Sequence, residues 1–150
     1  MTASALVRGF AALAFFAAND ALAIFIASEP WTKPASRGQS TEAYMELTST
    51  DGATLVGVRC DTAKRIEIRP PGTSAKPVSE LALPAGKKIL LAPKAYRLVL
   101  RNLDRTVKLG DHVPMVLVIQ AADGSKQEIP LEAEVRLHSP TYDHQHGHHH

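Results

Sequence analysis

The chain has 150 residues, with 17 lysines and arginines against 15 aspartates and glutamates, for a net charge of +2 at neutral pH. This length suffices for one domain with a hydrophobic core and is too short for two. The balanced charge excludes the strong positive field by which proteins bind nucleic acids or anionic membranes, and the single cysteine excludes an internal disulfide.

Residues 1–23 have the features of a secretory signal peptide. Arg8 supplies a positive charge, an apolar segment follows from Phe10 to Ala18, and Ala21-Leu22-Ala23 offers the small residues that signal peptidase recognises. A membrane anchor is the alternative, but a polar Asn-Asp pair interrupts the apolar run before the roughly 20 residues that a membrane span needs. We therefore predict export, with cleavage after residue 23 and no integral membrane segment in the mature protein.

From residue 24 onward, hydrophobic residues recur at every second position, which is the period of half-buried β-strands. The clearest alternations comprise Ala43, Met45 and Leu47; Ile66 and Ile68; and Ile129, Leu131, Ala133, Val135 and Leu137. Residues 115–119 are apolar on both faces, which predicts a more central strand. The polar, proline-containing segment Glu29–Thr41 is predicted to be a loop.

Turn-forming sequences separate the predicted strands at short intervals. They are Thr50-Asp51-Gly52, Pro70-Pro71-Gly72, Pro84-Ala85-Gly86, Leu109-Gly110-Asp111 and Asp123-Gly124. No segment shows a sustained helical period. Seven or eight short strands with such turns indicate an all-β domain, an antiparallel Greek-key sandwich or barrel, over residues 24–137.

Few isolated side chains in this domain suggest chemistry. Cys60 follows a strand and is expected to be a small buried apolar residue, with a thiolate ligand or redox centre as the alternative. Met45 and Met115 occupy apolar strand positions and are expected in the core. His112 lies in a turn and is expected to be a polar loop residue, with an extra imidazole for the tail as the alternative. No catalytic triad order, glycine-rich phosphate loop or CxxC motif is present, so we do not expect an enzyme.

The last segment, residues 138–150, concentrates histidine and is predicted to be a flexible tail. Its candidate metal ligands are His144, His146, His148, His149 and His150, with His138 as a weaker one. Neutral imidazole is the commonest protein ligand for Cu(II), Ni(II) and Zn(II), and without thioether ligands the tail should prefer Cu(II) to Cu(I). The alternative is a purification tag, although Gln145 and Gly147 interrupt the run and the chain keeps a targeting segment that tagged proteins usually lack.

Six segments of the predicted domain follow one another in a characteristic order, after a tryptophan at position 31. They are YMELT at 44–48, LVGV at 55–58, RIEI at 65–68, LALPAG at 81–86, YRLVL at 96–100 and LGDHVP at 109–114. In this order they resemble the PCu(A)C family of periplasmic copper chaperones over about residues 24–136. The resemblance implies a cupredoxin-like β-sandwich in the periplasm.

The copper ligands that the resemblance implies are absent. Members of the family bind Cu(I) through a His or Met that closes the third of these strands, a Met farther on, and a His-x-Met pair on a later strand. In this chain those positions hold Arg69, Arg97 and Val99, and no methionine lies between the two arginines. Arginine is always protonated and has no lone pair to offer a metal, so the family's site is not expected to function here.

The same arginines suggest a second kind of site. By strand alternation Arg97, Val99 and Arg101 share one face, and Arg69 lies near them if the family geometry holds. Guanidinium groups suit carboxylates and phosphates, so this face is a candidate surface for an anion or an acidic partner. The alternative is an ordinary solvated strand face on which arginines serve solubility.

Together these features predict an exported, non-catalytic protein that captures, buffers or delivers a metal through its histidine tail. Copper is favoured, with zinc or nickel as alternatives. The partner that the resemblance implies is a copper-dependent membrane oxidase or another metallochaperone. The alternative function is an accessory module without a metal, which docks a partner through Arg69, Arg97 and Arg101.

Overall fold

The computed structural model describes residues 24–73 and 76–140, so the predicted signal peptide and residues 141–150 of the tail lie outside the described part. Its strands are β1 (Phe25–Thr32), β2 (Thr41–Ser49), β3 (Ala53–Arg59), β4 (Ala63–Arg69), β5 (Leu81–Leu83), β6 (Ile89–Leu91), β7 (Arg97–Leu103), β8 (His112–Ala121) and β9 (Lys126–Val135). The predicted all-β class is confirmed, with nine strands in the described part where seven or eight were expected. None of the described residues forms a helix of the length and apolar character that crossing a membrane requires.

The strands form one continuous hydrogen-bonded sheet in the order β4-β7-β2-β1-β9-β8-β3-β5, with β6 paired to β2. Neighbouring strands are antiparallel, except that β1 and β9 run parallel where Trp31 and Thr32 face Glu134 and Val135. The sheet closes around a single hydrophobic cluster to which both halves contribute. The result is the predicted sandwich, with its two layers joined through the β1–β9 contact.

The core follows the period-two pattern of the sequence. Leu47 and Leu98 of one layer and Leu117 of the other are fully buried in the same cluster. Each buried leucine side chain stabilises the fold by about 1.5–3 kcal/mol. Met45 and Met115 belong to this cluster, as predicted. Strand β8 lies between β9 and β3, as its apolar sequence predicts; Met115, Leu117 and Ile119 are buried, whereas Val116 and Val118 on the outer face are partly exposed.

The predicted loop over Glu29–Thr41 is wrong in its first part, because β1 continues to Thr32. The strand passes the Glu-Pro sequence through a register shift between Ser28 and Trp31, with Glu29 at a φ of 51°. A bulge of this kind takes up residues that cannot pair with the neighbouring strand, and the strand continues after it. Local composition indicated a loop, whereas pairing with β2 on both sides of the bulge preserves the strand.

The end of the domain also differs from the prediction. The backbone amide of Arg136 still donates to the carbonyl of Thr32 at 2.9 Å, but β9 itself ends at Val135. Leu137 was expected to continue the inward-facing row and is instead exposed. The row stops here because the ladder with β8 ends at Glu134, so no strand is left for Leu137 to pack against.

Candidate metal site and the arginine face

Strands β4 and β7 pair along one edge of the sheet, and their outward side chains form what we call the arginine face. Its members are Arg65, Glu67 and Arg69 on β4 and Arg97, Val99 and Arg101 on β7. The antiparallel register places Arg69 directly opposite Arg97. Opposite residues in such a pair have Cβ atoms about 4.5–5.5 Å apart. Two positions at which the PCu(A)C pattern carries copper ligands therefore lie side by side, and both hold arginine.

Glu67 is the counter-ion at the centre of the arginine face. Its Oε2 accepts hydrogen bonds from Arg69 Nε at 3.0 Å and from Arg101 Nε at 3.1 Å, and its Oε1 accepts one from Arg65 Nη2 at 3.0 Å. Burial of this side chain acts to raise the pKa of the carboxyl group. The hydrogen bonds from Arg69 and Arg101, together with the charge of Arg101, outweigh burial and hold the pKa of Glu67 below its usual value. Glu67 is therefore ionised and neutralises part of the face.

Arg97 is the most enclosed arginine of the face, with its side chain 12% exposed. Its Nε donates to Glu42 Oε1 on β2 at 3.0 Å, and its Nη1 donates to the carbonyl oxygen of Pro70 at 3.1 Å. One guanidinium group thus connects β7 to β2 and to the loop that follows β4. It forms this connection at a position where the family pattern has a copper ligand, so Arg97 provides a cross-link without a metal.

Tyr44 extends this network into the protein. Its hydroxyl group donates a hydrogen bond to Glu42 Oε2, and its ring packs against Trp31 with the ring centroids 4.7 Å apart. The ammonium group of Lys33 lies 5.6 Å from the centroid of the Tyr44 ring. Burial, and then the hydrogen bond to Glu42, raise the pKa of Tyr44 well above its usual value. The hydroxyl therefore remains a proton donor to Glu42 at physiological pH.

These contacts define what the arginine face can do. Guanidinium groups carry a permanent positive charge and no lone pair, and Val99 offers no donor atom, so the face lacks the ligands by which the family pattern binds Cu(I). Its two neighbouring carboxylates, Glu42 and Glu67, are already bound by arginines. What remains available is hydrogen bonding to anions by the more exposed arginines, Arg65 and Arg101.

The other candidate ligands of the domain lie apart from this face. Cys60, a free thiol just after β3, lines a notch of about 470 Å³ together with Met115 and Pro130. His112 is the first residue of β8, where it is exposed and faces Glu134 across the β8–β9 pair. Within residues 24–73 and 76–140, no group of three or more His, Cys, Asp or Glu side chains is arranged to hold a metal ion.

The predicted metal-binding tail begins at the end of β9. His144, His146, His148, His149 and His150 lie outside the described residues. His138 is described and is exposed. It follows the segment in which Arg136 bonds to Thr32, so the tail leaves the domain beside the junction of β1 and β9.

Neither Glu67 nor Glu42 is among the functional residues expected from the sequence. A signal for Glu67 was present, because Arg65, Glu67 and Arg69 alternate along one strand and must share a face. Glu42 carries no such signal. It lies 55 residues from Arg97 in the sequence, and only the pairing of β2 with β7 brings the two side chains together.

Comparison with known proteins identifies relatives of this domain. A family model described as lipoprotein LpqE-like matches residues 26–138. No curated protein matches the chain. Among solved structures, the chain is similar to the apo PCuAC domain from PmoF1, with 21% identity and a TM-score of 0.65 over 75% of this chain and 92% of that one.

Two further structures are similar and contain copper. The copper-bound PCuAC domain from PmoF2 has 19% identity and a TM-score of 0.63 over 75% of this chain and 92% of that one. The CuI-DR1885 solution structure from Deinococcus radiodurans has 25% identity and a TM-score of 0.56 over 80% of this chain and 83% of that one. These similarities confirm the predicted cupredoxin-like β-sandwich and the resemblance to the PCu(A)C family.

Proposed function

The chain belongs to the LpqE-like family, and we propose that it is an exported, non-catalytic copper-handling protein of the periplasm that binds its metal through the C-terminal histidine tail. Support for copper comes from the structural neighbours, which are PCuAC domains and include copper-bound forms. The role is capture, buffering or delivery of the metal to a copper-dependent membrane oxidase or another metallochaperone.

The observation that carries this proposal is that the guanidinium group of Arg97 is already bound within the protein. It occupies a position of the family's copper-binding pattern, and its guanidinium group is bound to Glu42 and to the carbonyl of Pro70. Opposite it stands a second arginine, Arg69, so a copper ion here would face two guanidinium groups that have no lone pair, beside carboxylates that arginines already bind. Copper handling by this chain therefore requires other ligands, and the tail supplies five imidazoles within residues 144–150.

The chemistry of the tail favours Cu(II). Imidazole nitrogen is a strong ligand for divalent ions late in the first transition series, and Cu(II) binds most tightly in the usual order of affinity. Imidazole binds a metal only in its neutral form, so the affinity falls as the pH drops below about 6.5. Several equivalent ligands within one short segment suit exchange of the metal with a partner.

The test compares residues 24–150 with a variant that lacks residues 144–150. A matched control keeps the full length and replaces the five tail histidines by asparagine, which separates loss of ligands from loss of chain. Cu(II) and Cu(I) are titrated separately against competing chelators, and Zn(II) and Ni(II) are titrated for comparison. We expect the unaltered protein to bind Cu(II) most tightly, and both variants to lose this binding.

Unchanged copper binding in both variants would contradict the proposal, because it would place the ligands within the sandwich. Retention by the asparagine variant alone would show that the imidazoles are not the ligands. A preference of the unaltered protein for Cu(I) over Cu(II) would also count against an all-imidazole site.

A second candidate function is an accessory module without a metal, which docks an acidic partner through the arginine face. The observation that favours it is the excess of arginines over glutamates there. Four arginines, Arg65, Arg69, Arg97 and Arg101, form ion pairs with two glutamates of the described residues, Glu67 and Glu42. This function becomes the better one if residues 24–150 bind neither Cu(II) nor Cu(I).

A further inference from the structure

We propose that a basic cleft where β4 begins and β7 ends binds the phosphate group of a small phosphorylated molecule. The residues that line this basic cleft are Gly38, Ser40, Lys64, Arg65, Arg101 and Asn102. Its volume of about 560 Å³ lies within the roughly 300–1,000 Å³ typical of small-molecule sites, which leaves room for the group that carries the phosphate. The proposal does not depend on copper binding by the tail.

The charge of the basic cleft points to an anion. Lys64, Arg65 and Arg101 line it, and among the described residues no acidic side chain lines it, although Glu67 binds Arg65 and Arg101 from beside the cleft. In the part of the chain that the structure describes, Arg101 makes one hydrogen bond, from Nε to Glu67, so both of its Nη groups are left for a ligand. The Lys64 ammonium group has only a long ion pair, at 3.9 Å, with Asp104. Guanidinium groups match the geometry of phosphate oxygens and can bind them in pairs.

Asn102 adds a neutral donor in an unusual backbone conformation. Its φ of 55° lies in the left-handed region, which among the described non-glycine residues only Glu29 shares. In this conformation Asn102 N donates to Ser40 Oγ at 3.4 Å and Leu103 N donates to the Gln39 carbonyl at 2.9 Å, which ties the end of β7 to the segment before β2. Such strain costs on the order of 1–3 kcal/mol and is concentrated at functional sites. Asn102 lines the basic cleft together with Lys64, Arg65 and Arg101.

Protection of the sheet edge is the competing explanation for these charges. Strand β4 is the last strand of the sheet, and charged residues at an edge prevent pairing with other chains. This explains Lys64 and Arg65. It does not explain Arg101, because β7 lies between β4 and β2, and it does not explain the strained backbone at Asn102. A bound anion gives a use to the two Nη groups of Arg101 that the ion pair with Glu67 leaves free.

The test is a titration of residues 24–150 with inorganic phosphate and, separately, with glycerol 3-phosphate, at low ionic strength. A mildly alkaline pH keeps the tail histidines neutral, so that they do not attract the anion. Backbone amide chemical shifts report where each probe binds. Vesicles that contain phosphatidylglycerol form a third arm, since they present the same chemical group as a lipid headgroup.

Two variants examine the basic cleft. Lys64→Gln combined with Arg65→Gln removes two exposed charges, and Asn102→Gly removes the amide while glycine adopts the positive φ freely, so both variants are expected to fold. The control, Lys87→Gln combined with Lys126→Gln, removes two exposed charges elsewhere. We expect about a tenfold loss of affinity in the double cleft variant, a smaller loss in Asn102→Gly, and a change of less than about twofold in the control.

Three results would overturn the proposal. The first is the absence of saturable binding of either soluble probe at concentrations up to about 10 mM. The second is an equal loss of affinity in the cleft variant and in the control, which would reveal a general effect of net charge. The third is binding to vesicles without binding of either soluble probe, which would reveal non-specific attraction to an anionic surface.

Discussion

Replacing Arg97 by alanine tests whether this residue cross-links the sandwich at the position of the missing copper ligand. The change removes the ion pair with Glu42 and the hydrogen bond to the Pro70 carbonyl, at 3.0 and 3.1 Å. It leaves Glu42 with the Tyr44 hydroxyl as its remaining side-chain partner in the described structure. The loop after β4 loses its tie to β7 at the same time.

The size of the effect follows from the exposure of the two partners. Hydrogen bonds to charged groups contribute about 1.5–3 kcal/mol each when they are sheltered from water. Arg97 is sheltered, with 12% of its side chain exposed, but Glu42 is 32% exposed, which weakens the pair by solvent screening. Loss of repulsion between Arg97 and the opposite Arg69 acts in the other direction. We therefore expect a decrease of about 2–3 kcal/mol in the free energy of unfolding, or roughly 8–12 °C in Tm for a domain of this size.

Urea unfolding followed by tryptophan fluorescence measures this effect directly. Trp31 is the only tryptophan of the chain and is buried against Tyr44, close to the perturbed network. Arg65→Ala is the matched control, because Arg65 belongs to the same face with 69% of its side chain exposed, and its loss should cost no more than about 1 kcal/mol. Arg97→Lys keeps the charge without the planar group that reaches both acceptors, and should lie between Arg97→Ala and the unaltered protein. Equal stabilities of Arg97→Ala and Arg65→Ala would refute the cross-link.

Two further predictions concern the arginine face. In protein that lacks residues 144–150, the combined change Arg69→His, Arg97→His and Val99→Met should create a binding site for one Cu(I), because the register holds positions 69 and 97 opposite each other. Competition with a coloured chelator measures this binding. Alanine at the same three positions is the control, and equal Cu(I) binding by the two variants would show that these side chains alone do not make the site. Glu67→Gln should lower the free energy of unfolding by about 1 kcal/mol at neutral pH, because the amide keeps the size of the side chain but removes the charge that partly exposed arginines bind. Because the pKa of Glu67 is lowered in the folded protein, its contribution is present above the unfolded pKa of about 4.3 and is lost as the pH falls through the lower folded pKa. The difference in Tm between the unaltered protein and Glu67→Gln should therefore shrink in acid. The control Glu80→Gln removes an exposed carboxylate and should change the Tm little at neutral pH. A difference for Glu67→Gln that does not change with pH would contradict this expectation.

Local sequence patterns predicted much of this fold correctly. Alternation of apolar and polar residues identified the strands around Met45, Ile68 and Met115 and the direction in which their side chains point. The same alternation is enough to place Arg97, Val99 and Arg101 on one face, because the side-chain period of a strand is independent of its partners. The histidine tail is likewise a matter of composition, and its role as a metal site stays a prediction.

Patterns within a segment did not predict the burial of a residue or the extent of a strand where these depend on a strand that is distant in the sequence. Tyr44 lies at an outward position of β2 yet is buried, since Trp31 of β1 packs against it. Strand β1 continues through a Glu-Pro sequence because pairing with β2 resumes at Trp31 after the bulge. In both cases a neighbouring strand decides whether a local pattern is followed or overridden.

The sequence by itself determined that this protein is an all-β sandwich without the copper ligands of its family's pattern and with histidines concentrated at its end. Only the tertiary structure decided which contacts the arginines of this face make. Arg97 is bound to Glu42 and the Pro70 carbonyl, whereas Arg101 lines a cleft and binds Glu67 through Nε alone among the described residues. The physical reason is that the identity of a charge is a local property. Its partner and its exposure to solvent depend on strand register, which residues far apart in the chain set together.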